Sequence, residues 1–516
     1  MTDLDAGTRI RRRPARAVSG LLAAGVTLGV GVLIAAGVAP AASPWLAVGG
    51  AVVDHTPLAV REFAISTFGS NDKLALFLGM GLVIGVLSII AGLAETQRRP
   101  YGSALLAIFG LVGVAAALTR PTATLWYPIP TLLGVAAGIL TLRLLNARTR
   151  PLRAENGDCL PQSRRAFLRV AGVAAAVAVA GVGTGRYVGD RLRSLAGDRA
   201  RFRIPAVATP AAPITAAYSV AVPDMTSFIT PNDTFYRVDT ALQIPAVAID
   251  QWQLRIHGMV ARETTLTFDD LYRRAAVDRV ITLTCVSNEV GGNLVGNARW
   301  TGYLLADLLT EVGIDPAADM LLSRSVDGFT ASTPLAAIRD GRDALLAVAM
   351  NGQPLPLEHG YPARLVVPGL YGYVSATKWV NELEITRFDK ATAYWTDRGW
   401  AAQAPIKTSS RIDVPAGFAH LKTGKVVVAG VAWAQHRGIT AVEVRVDDGA
   451  WNAATLAAEY STDTWRQWYW QWDSTPGTHT LAVRCTDATG QLQSPDKQPP
   501  FPNGSTGYER RVVFIE

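Results

Sequence analysis

One cysteine in this sequence stands where a side chain could do chemistry. Cys285 follows the run Val280–Thr284, in which apolar and hydroxyl-bearing side chains alternate as they do in a β-strand. The pair Gly291–Gly292 comes soon after it, where the backbone can bend sharply or approach another molecule closely. A thiolate at the end of a strand suits a soft metal ion or nucleophilic catalysis. The alternative is that Cys285 is a small apolar residue of the core.

The chain has three cysteines, which are Cys159, Cys285 and Cys485. An exported domain held together by disulfides would normally have more of them, in an even number. A disulfide between Cys285 and Cys485 would leave no thiolate at Cys285 for a metal. We do not expect this disulfide, because the two cysteines fall in different predicted domains.

Four blocks of the sequence occur in the same order in one known family. They are TLTCVSN around Cys285, ARWTGYLLADLL (Ala298–Leu309), LLAVAMNGQPLPLEHGYPARLVVPG (Leu345–Gly369) and KWVNELEI (Lys378–Ile385). Several blocks in a fixed order are more specific than any single motif. This part of the chain resembles the molybdopterin domain of the sulfite oxidase family. The resemblance implies an α+β fold, a molybdopterin cofactor with molybdenum, and Cys285 as the protein ligand of the metal.

The resemblance also implies which residues hold the pterin and its phosphate. An arginine offers a planar fork to phosphate oxygens, and a glycine-rich turn offers backbone N–H groups. The alternative for Asn232–Asp233 is an Asx turn after Pro231, and the alternative for the block around Arg364 is a surface turn with a solvated arginine. The implied cofactor-binding residues are Asn232, Asp233, Phe235, Tyr236, Cys285, Ser325, His359, Arg364, Ser375, Thr377 and Lys378.

The sequence departs from the family where sulfite oxidases gather cations around the metal. The two arginines that follow the cysteine motif in them are replaced here by Glu289 and Val290. Val348 stands in the place of an active-site tyrosine, and a further arginine is matched by Val238 or by a shifted Arg237. Recognition of a small oxyanion depends on charge-assisted hydrogen bonds. The sequence therefore predicts a substrate other than sulfite.

The first 190 residues predict a membrane domain. They hold most of the apolar excess of the chain, and residues 1–200 contain about 21 Lys and Arg against about 10 Asp and Glu, which accounts for the net charge of +7. Because this positive charge flanks apolar segments, it does not indicate a nucleic-acid partner. The predicted spans, each of a length that crosses a bilayer, are residues 19–39, 74–94, 103–119, 125–145 and 166–185.

The arginines predict the topology of these spans. Arg-rich segments at the N-terminus, in Glu95–Pro100 and in Arg148–Arg165 are expected in the cytoplasm of a bacterial cell, so residues 186–516 are expected outside it. The string SRRAFL (Ser163–Leu168) resembles the twin-arginine export signal, which suits a domain that takes up its cofactor before export. Ala-x-Ala-like sites from Ala176 onward leave cleavage open, although we expect the anchor to be retained.

The spans offer little to a redox cofactor. Their half of the chain has only His55, which lies in a predicted loop (Pro40–Lys73), so no haem is predicted. The helices are expected to act as an anchor, with a quinone or partner dock as the alternative. Electrons must then be exchanged with an unknown partner, either a quinone or a redox protein.

The remaining chain divides by composition into a linker (191–223), a catalytic domain (224–395) and a C-terminal domain (400–516). The last alternates at period two between turn signals, which predicts an all-β, immunoglobulin-like sandwich. It resembles the dimerisation domain of the family, which implies a homodimer. The whole is predicted to be a membrane-anchored, extracytoplasmic oxidoreductase that transfers an oxygen atom to or from a small molecule. The alternatives are a sulfoxide-type reductase and a cofactor-free binding or structural module.

Overall fold

The computed structural model describes residues 3–57, 72–149, 152–153, 159–160, 164–192 and 194–516, together with residues 60, 63, 64, 67 and 68. The chain divides into two compact units. The first comprises Met1–Ser194 with Ala241–Gln243, and the second comprises Leu195–Thr240 with Ile244–Glu516.

The first unit is helical. Its helices are α1 (Asp3–Val38), α2 (Pro44–His55), α3 (Asp72–Ala94), α4 (Tyr101–Leu118), α5 (Pro128–Ala147) and α6 (Arg164–Leu192), and a two-stranded ribbon is formed by β1 (Leu152–Arg153) and β2 (Cys159–Leu160). Five described helices are long and apolar enough to cross a membrane: Arg13–Val38, Lys73–Ala94, Tyr101–Leu118, Pro128–Ala147 and Arg165–Arg201. They overlap the five spans that the sequence predicts, although the first begins earlier, at Arg13, and the last continues to Arg201 rather than ending at residue 185. That they cross a membrane stays a prediction.

The packing of these helices suits a lipid environment. Leu78, Leu82 and Leu111 are each more than 60% exposed, so apolar side chains cover the outside of the unit. Inside it, small residues allow close contact, because a Cβ on Gly92 would lie 2.0 Å from the carbonyl oxygen of Arg16.

One prediction in this unit is wrong, because the segment Pro40–Lys73 is not a plain loop. It contains α2, which begins with Pro44 in the first turn and with Ser43 as a cap that accepts a hydrogen bond from the N–H of Leu46. Of the SRRAFL string, Ser163 lies outside the described residues, and the rest forms the first turns of α6.

The second unit begins with two sheets and short helices. The strands are β3 (Val207–Thr209), β4 (Leu254–Gly258), β5 (Thr264–Leu266), β6 (Ala276–Thr284), β7 (Val295–Leu304), β8 (Met320–Ser325), β9 (Thr330–Pro334), β10 (Leu345–Met350), β11 (Gln353–Pro354), β12 (Arg364–Val366) and β13 (Val380–Thr386). The helices are α7 (Ala196–Arg201), α8 (Phe268–Tyr272), α9 (Leu305–Val312) and α10 (Ala336–Arg339).

These strands form a six-stranded and a five-stranded sheet that share one core. The first has the order β11-β10-β7-β6-β3, with β12 also paired to β10, and the second has the order β5-β4-β13-β8-β9. Strands β6, β7 and β10 are buried along almost their whole length, which fits their apolar and β-branched sequences. Strand β6, which lies between β7 and β3, ends immediately before Cys285. The fold therefore delivers this cysteine from an interior strand of the sheet.

The predicted linker differs from the structure. Residues 196–209 carry α7 and β3, and β3 pairs in parallel with β6 through Val207 and Ala276. Phe202 is buried in the core, and the Tyr361 hydroxyl donates to Asp198 Oδ2 at 2.6 Å. The Pro- and Ala-rich composition conceals these elements, because they are held by tertiary contacts rather than by local periodicity.

Two further sheets form the C-terminal part of the second unit. Their strands are β14 (Ser409–Val414), β15 (His420–Leu421), β16 (Gly424–Trp433), β17 (Ile439–Val446), β18 (Asn452–Ala453), β19 (Thr455–Leu456), β20 (Arg466–Ser474), β21 (Gly477–Asp487) and β22 (Glu509–Ile515). The sheet orders are β14-β16-β20-β19 and β15-β22-β21-β17-β18, and residues of both sheets fill one core. The described C-terminal part is all-β, as its alternating sequence predicts, and the immunoglobulin-like topology stays a prediction. We call this pair of sheets the C-terminal sheets.

Candidate functional site

Cys285 lies at the end of β6, in a tight loop that is closed by its own backbone. Its N–H donates to the carbonyl oxygen of Leu294 at 2.9 Å, and its carbonyl oxygen accepts from the N–H of Asn288 at 3.1 Å. The Asn288 side chain accepts from the N–H of Leu294 at 2.8 Å. Cys285 and Cys485 are both free and buried, so the disulfide between them is absent, as expected.

Burial raises the pKa of the Cys285 thiol, because a thiolate loses its hydration there. Hydrogen bonds from the backbone and hydroxyl of Ser287, and the positive charge of Lys378, act in the opposite direction. The thiol of the cofactor-free protein is therefore protonated at neutral pH. A soft cation would displace this proton, and it would find a ligand that is already held in place.

Arg364 is a buried cation without an anionic partner. It is 5% exposed, and its guanidinium donates to three backbone carbonyls, those of His359, Leu365 and Ala376, at 3.2 to 3.4 Å. It also lies 5.1 Å from the ring centroid of Trp300. Within the described part of the chain, no carboxylate forms an ion pair with it. Burial lowers the pKa of Arg364 to about 10, so it remains charged at neutral pH. A buried charge is costly without a partner, so a bound anion would stabilise Arg364.

Lys378 is a second buried cation beside Arg364. Its Nζ lies 2.8 Å from Asp239 Oδ2 and donates to the carbonyl oxygen of Glu358 at 2.9 Å. Burial lowers the pKa of Lys378 to about 8, although Asp239 opposes this effect. The same carboxylate also pairs with Arg237 at 2.8 Å. One aspartate thus serves two cations, and Arg364 stays uncompensated.

A glycine allows the two buried cations to approach each other. Gly360 has a φ of +107°, and a Cβ there would lie 3.0 Å from the Cβ of Arg364 and 3.1 Å from the Cβ of Lys378. A side chain at this position would be strained by the positive φ and would press against the Cβ atoms of both residues.

His359 is buried and neutral. Burial, followed by the charges of Arg364 and Lys378, lowers the pKa of His359 to about 4. Its Nε2–H donates to the carbonyl oxygen of Asn232 at 3.1 Å, and its ring packs edge-on against Phe235 at 5.6 Å. The histidine therefore connects the 230–240 segment to the two cations.

The phenol of Tyr236 belongs to the same group. Burial and the negative charge of a Cys285 thiolate raise the pKa of Tyr236, whereas Arg364 lowers it. Its ring stacks on Phe235 at 5.1 Å. The structure thus brings together Cys285, Asn232, Phe235, Tyr236, His359, Arg364 and Lys378 of the predicted residues.

The remaining predicted residues have other partners. The Ser375 hydroxyl donates within its own turn, to Leu370 and Tyr371. Thr377 Oγ1 pairs with Ser323 Oγ at 2.7 Å in the core, and Ser325 Oγ accepts from the N–H of Asp327 in a hairpin turn. Asp233 is exposed. Their side chains do not point to a common ligand as the structure stands.

Sequence reasoning missed two residues of this site. Asp239, which holds Lys378 and Arg237, gives no sequence signal beyond its position in a polar segment. Asn351 donates to Thr230 O and Asn232 Oδ1 at 2.9 and 2.8 Å and so fixes the 230–240 segment. The Asn351–Gly352 pair between two apolar runs is a strong hairpin signal, and it does connect β10 to β11.

A second group of ligand-type side chains lies on the five-stranded sheet. His257, Glu382 and Glu384 could together hold a metal ion by distance. However, Glu382 already pairs with His257 at 2.8 Å and with Arg324 at 3.5 Å. We interpret the group as a cross-strand charge network.

Comparison with known proteins supports the chemistry of the first site. The family described as "Oxidoreductase molybdopterin binding domain" matches residues 241–395. Mitochondrial sulfite oxidase of Rattus norvegicus is 28% identical over 290 residues, which are 48% of this chain and 53% of the relative. The "Uncharacterized oxidoreductase YuiH" of Bacillus subtilis (strain 168) is 29% identical over 150 residues, which are 29% of this chain and 72% of the relative. The chain thus spans about half the length of the first curated relatives that it matches.

Among solved structures, the sulfane dehydrogenase SoxCD from Paracoccus pantotrophus is similar over 57% of this chain and 84% of that chain. The sequence identity is 24% and the TM-score is 0.49.

Proposed function

Since the chain belongs to the sulfite oxidase family of molybdopterin-dependent oxidoreductases, we propose that it is a membrane-anchored, extracytoplasmic enzyme of oxygen-atom transfer. Its substrate is a neutral oxide or its reduced form rather than sulfite. The observation that carries this proposal is that a buried thiol at Cys285 and a buried cation at Arg364 both act on the phenol of Tyr236, so that this tyrosine lies near both of them.

The residues fit the cofactor of the family. A pterin phosphate would supply the anion that Arg364 lacks, and Lys378 would add a second positive charge. The thiolate of Cys285 suits molybdenum, which binds soft sulfur ligands. When bound, the cofactor would supply two-electron redox chemistry and an exchangeable oxygen atom.

The protein side chains would orient this cofactor. His359 is neutral, so its Nε2–H holds the 230–240 segment without adding a third charge. Asp239 restrains Lys378, and Phe235 with Trp300 forms an aromatic wall beside Arg364. These contacts keep charge and rings in place before a ligand arrives, which limits reorganisation during the reaction.

The side chains near Cys285 favour a neutral substrate. Lys378 lowers the pKa of Cys285, and in the proposed site this lysine would face the phosphate of the cofactor rather than the substrate. Val348 is fully buried in β10 and offers no hydroxyl in place of the tyrosine of the family. Of the two possible counterparts of the family's arginine, Val238 carries no charge, and Arg237 is paired with Asp239 at 2.8 Å. Sulfite would lose the charge-assisted hydrogen bonds that its recognition needs.

Reduction of a sulfoxide is the specific reaction that this site suits best. It consumes two electrons and two protons and yields a sulfide and water. The electrons would come from a quinol or a redox protein, since the helices of the first unit provide only His55 as a nitrogen ligand.

The test is metal analysis of the full-length protein, purified in detergent from a host that makes molybdopterin. We expect about one molybdenum per chain, loss or change of the thiolate charge-transfer band in Cys285→Ser, and a higher kcat/KM for methyl sulfoxides than for sulfite. A folded wild-type protein without molybdenum would support the alternative of a cofactor-free binding module. A preference for sulfite would refute the substrate proposal alone.

A further inference from the structure

Loops between strands of the C-terminal sheets contact the end of β6, just before Cys285. The N–H of Thr282 donates to the carbonyl oxygen of Asp463 at 2.9 Å, and the N–H of Trp465 donates to Thr282 Oγ1 at 2.7 Å. Gln435 Nε2 donates to Thr282 O at 3.1 Å and to Thr284 Oγ1 at 2.9 Å. These contacts reach the residue that directly precedes Cys285.

The side chain of Gln435 donates hydrogen bonds only to β6 within the described structure. It is fully buried, and both of its hydrogen bonds as donor go to β6. Its Oε1 is buried without a hydrogen-bond partner among the described residues. A buried amide that leaves its acceptor unsatisfied is costly to keep. Its position is therefore explained by the two donor contacts beside Cys285.

Other residues of the C-terminal half contact the loop side. The Ser505 hydroxyl donates to the carbonyl oxygen of Asn288 at 2.6 Å. Arg411, itself fixed by Asp413 at 2.6 Å, donates to the carbonyl oxygen of Gly292 at 3.2 Å. These two carbonyls lie on either side of Gly291, which has a φ of +77°.

The loop also meets the C-terminal sheets at close range. A Cβ on Gly291 would lie 2.8 Å from Cδ of Glu509. Glu509 is held by the N–H of Ile412 at 2.6 Å and by Arg511 at 2.7 Å. We call residues 282–292 the cysteine segment. Residues more than 100 positions away in sequence therefore contact this segment both before and after Cys285.

We propose that Gln435 and Ser505 are positioning residues for the metal thiolate at Cys285. Neither contacts the sulfur. Gln435 holds Thr282 and Thr284 before Cys285, and Ser505 holds Asn288 after it, so together they would keep the sulfur in place for a bound metal. This inference rests on the proposed function. Groups that orient a metal ligand tune the electronic properties of the metal, and not only its affinity.

The experiment compares Gln435→Leu and Ser505→Ala with the wild type in the full-length, metal-loaded protein. The readouts are molybdenum per chain, the energy of the thiolate charge-transfer band, the electron paramagnetic resonance signal of Mo(V) and the midpoint potential. We expect metal content within about twofold of the wild type and a changed band and Mo(V) signal, with the signal restored in Ser505→Thr, which keeps the hydroxyl.

The matched control is Gln467→Leu. Gln467 is also a buried glutamine of the C-terminal sheets, but it bonds to Val220 and Thr226 rather than to the cysteine segment. Its loss should lower thermal stability without altering the spectra. If Gln467→Leu changes the spectra as much as Gln435→Leu, or if both test variants keep wild-type spectra, the proposal is refuted.

A second readout needs no metal. In cofactor-free protein, the alkylation rate of Cys285, followed by mass spectrometry of its peptide, should rise several-fold in Gln435→Leu and Ser505→Ala but not in Gln467→Leu. Unchanged alkylation would overturn the positioning role. If the alkylation rates change in the variants as expected but the wild type never binds molybdenum, the proposed function is refuted. The positioning of the cysteine segment by Gln435 and Ser505 is then still supported. Ser505→Ala carries both readouts should Gln435→Leu fail to fold.

Discussion

At the scale of single residues, the site is defined by an imbalance of charge. Arg364, Lys378 and Arg237 are cations, while Asp239 is the one carboxylate that pairs with any of them in the described structure. Since His359 is neutral, the group has an excess of positive charge in a largely buried place. An unpaired buried charge destabilises a folded protein, so this arrangement is explained by a ligand that brings negative charge.

Replacement of Arg364 by methionine should separate binding from stability. Cofactor content should fall by about tenfold or more, because one partner of a buried charge-assisted contact is removed. The cofactor-free protein should be as stable as the wild type or more so, because a desolvated charge disappears. Metal analysis and thermal unfolding measure the two effects. The control Arg342→Met breaks an ion pair with Asp340, so it should lower thermal stability and leave the cofactor content unchanged.

His359 should make the cofactor-free protein sensitive to acid. Its folded pKa of about 4 lies below the ordinary value of 6.5, so the unfolded chain binds a proton first as the pH falls. The neutral histidine therefore lowers the free energy of unfolding only below pH 6.5, and this loss grows toward pH 4. At pH 5 the free energy of unfolding is lower by about 2 kcal/mol. Urea unfolding followed by tryptophan fluorescence should show a smaller pH dependence in His359→Asn than in the wild type. The exposed His420→Asn should behave as the wild type does.

At the scale of elements, the proposed binding groups lie in turns or at the ends of strands. The short 3-10 helix Leu357–His359 ends at Gly360, and the turn before β13 ends at Lys378. Strands β6 and β12 place Cys285 and Arg364 at their ends. The strands hold the ends of the turns in place. Because a turn has no regular pattern of backbone hydrogen bonds, its backbone N–H groups and its cationic side chains can both approach an anion.

Gly360→Ala should disturb this turn more than an ordinary glycine substitution does. The positive φ and the predicted clash with the Cβ atoms of Arg364 and Lys378 act together, and we expect a loss of about 2 kcal/mol or more with reduced cofactor content. Gly341→Ala is the matched control, since Gly341 has a φ of +91° with no atom near its missing Cβ, and about 1 kcal/mol is expected there. Equal losses for the two variants would contradict the account.

At the scale of the whole molecule, the two units differ in surface and charge. The helices of the first unit expose leucines, and the positive charge of the chain is concentrated in its first 200 residues. The second unit has its own core and an excess of acidic residues. This distribution agrees with a helical anchor whose arginines stay in the cytoplasm and with a catalytic unit on the other side.

Reporter fusions should establish this topology in cells. Alkaline phosphatase fused after Glu516 should be active, because the enzyme requires an oxidising compartment for its disulfides. The same reporter inserted after Arg99, in the predicted cytoplasmic turn, should be inactive. The opposite pattern would place the catalytic unit in the cytoplasm, and activity at neither position would indicate that the C-terminus is not exported.

The sequence by itself determined the position of Cys285 at the end of a strand and most elements around it. The alternation of Val280–Thr284, the five apolar segments and the ordered blocks are local or nearly local patterns, and they fixed β6, the long helices and the likeness to a molybdopterin domain. Helix α2 was missed although Ser43 and Pro44 signal its start. The hydrophobic period of a segment reports which face is buried, and this much can be read without a partner.

Only the tertiary structure decided which polar groups meet. Lys378 and Asp239 are 139 positions apart, and Gln435 and Thr284 are 151 apart, so no local pattern connects them. The same holds for Thr377, whose hydroxyl pairs with that of Ser323, 54 positions away. The sequence does not show whether a polar side chain faces a ligand or a buried carbonyl oxygen. The packing of strands that are distant in sequence decides between the two.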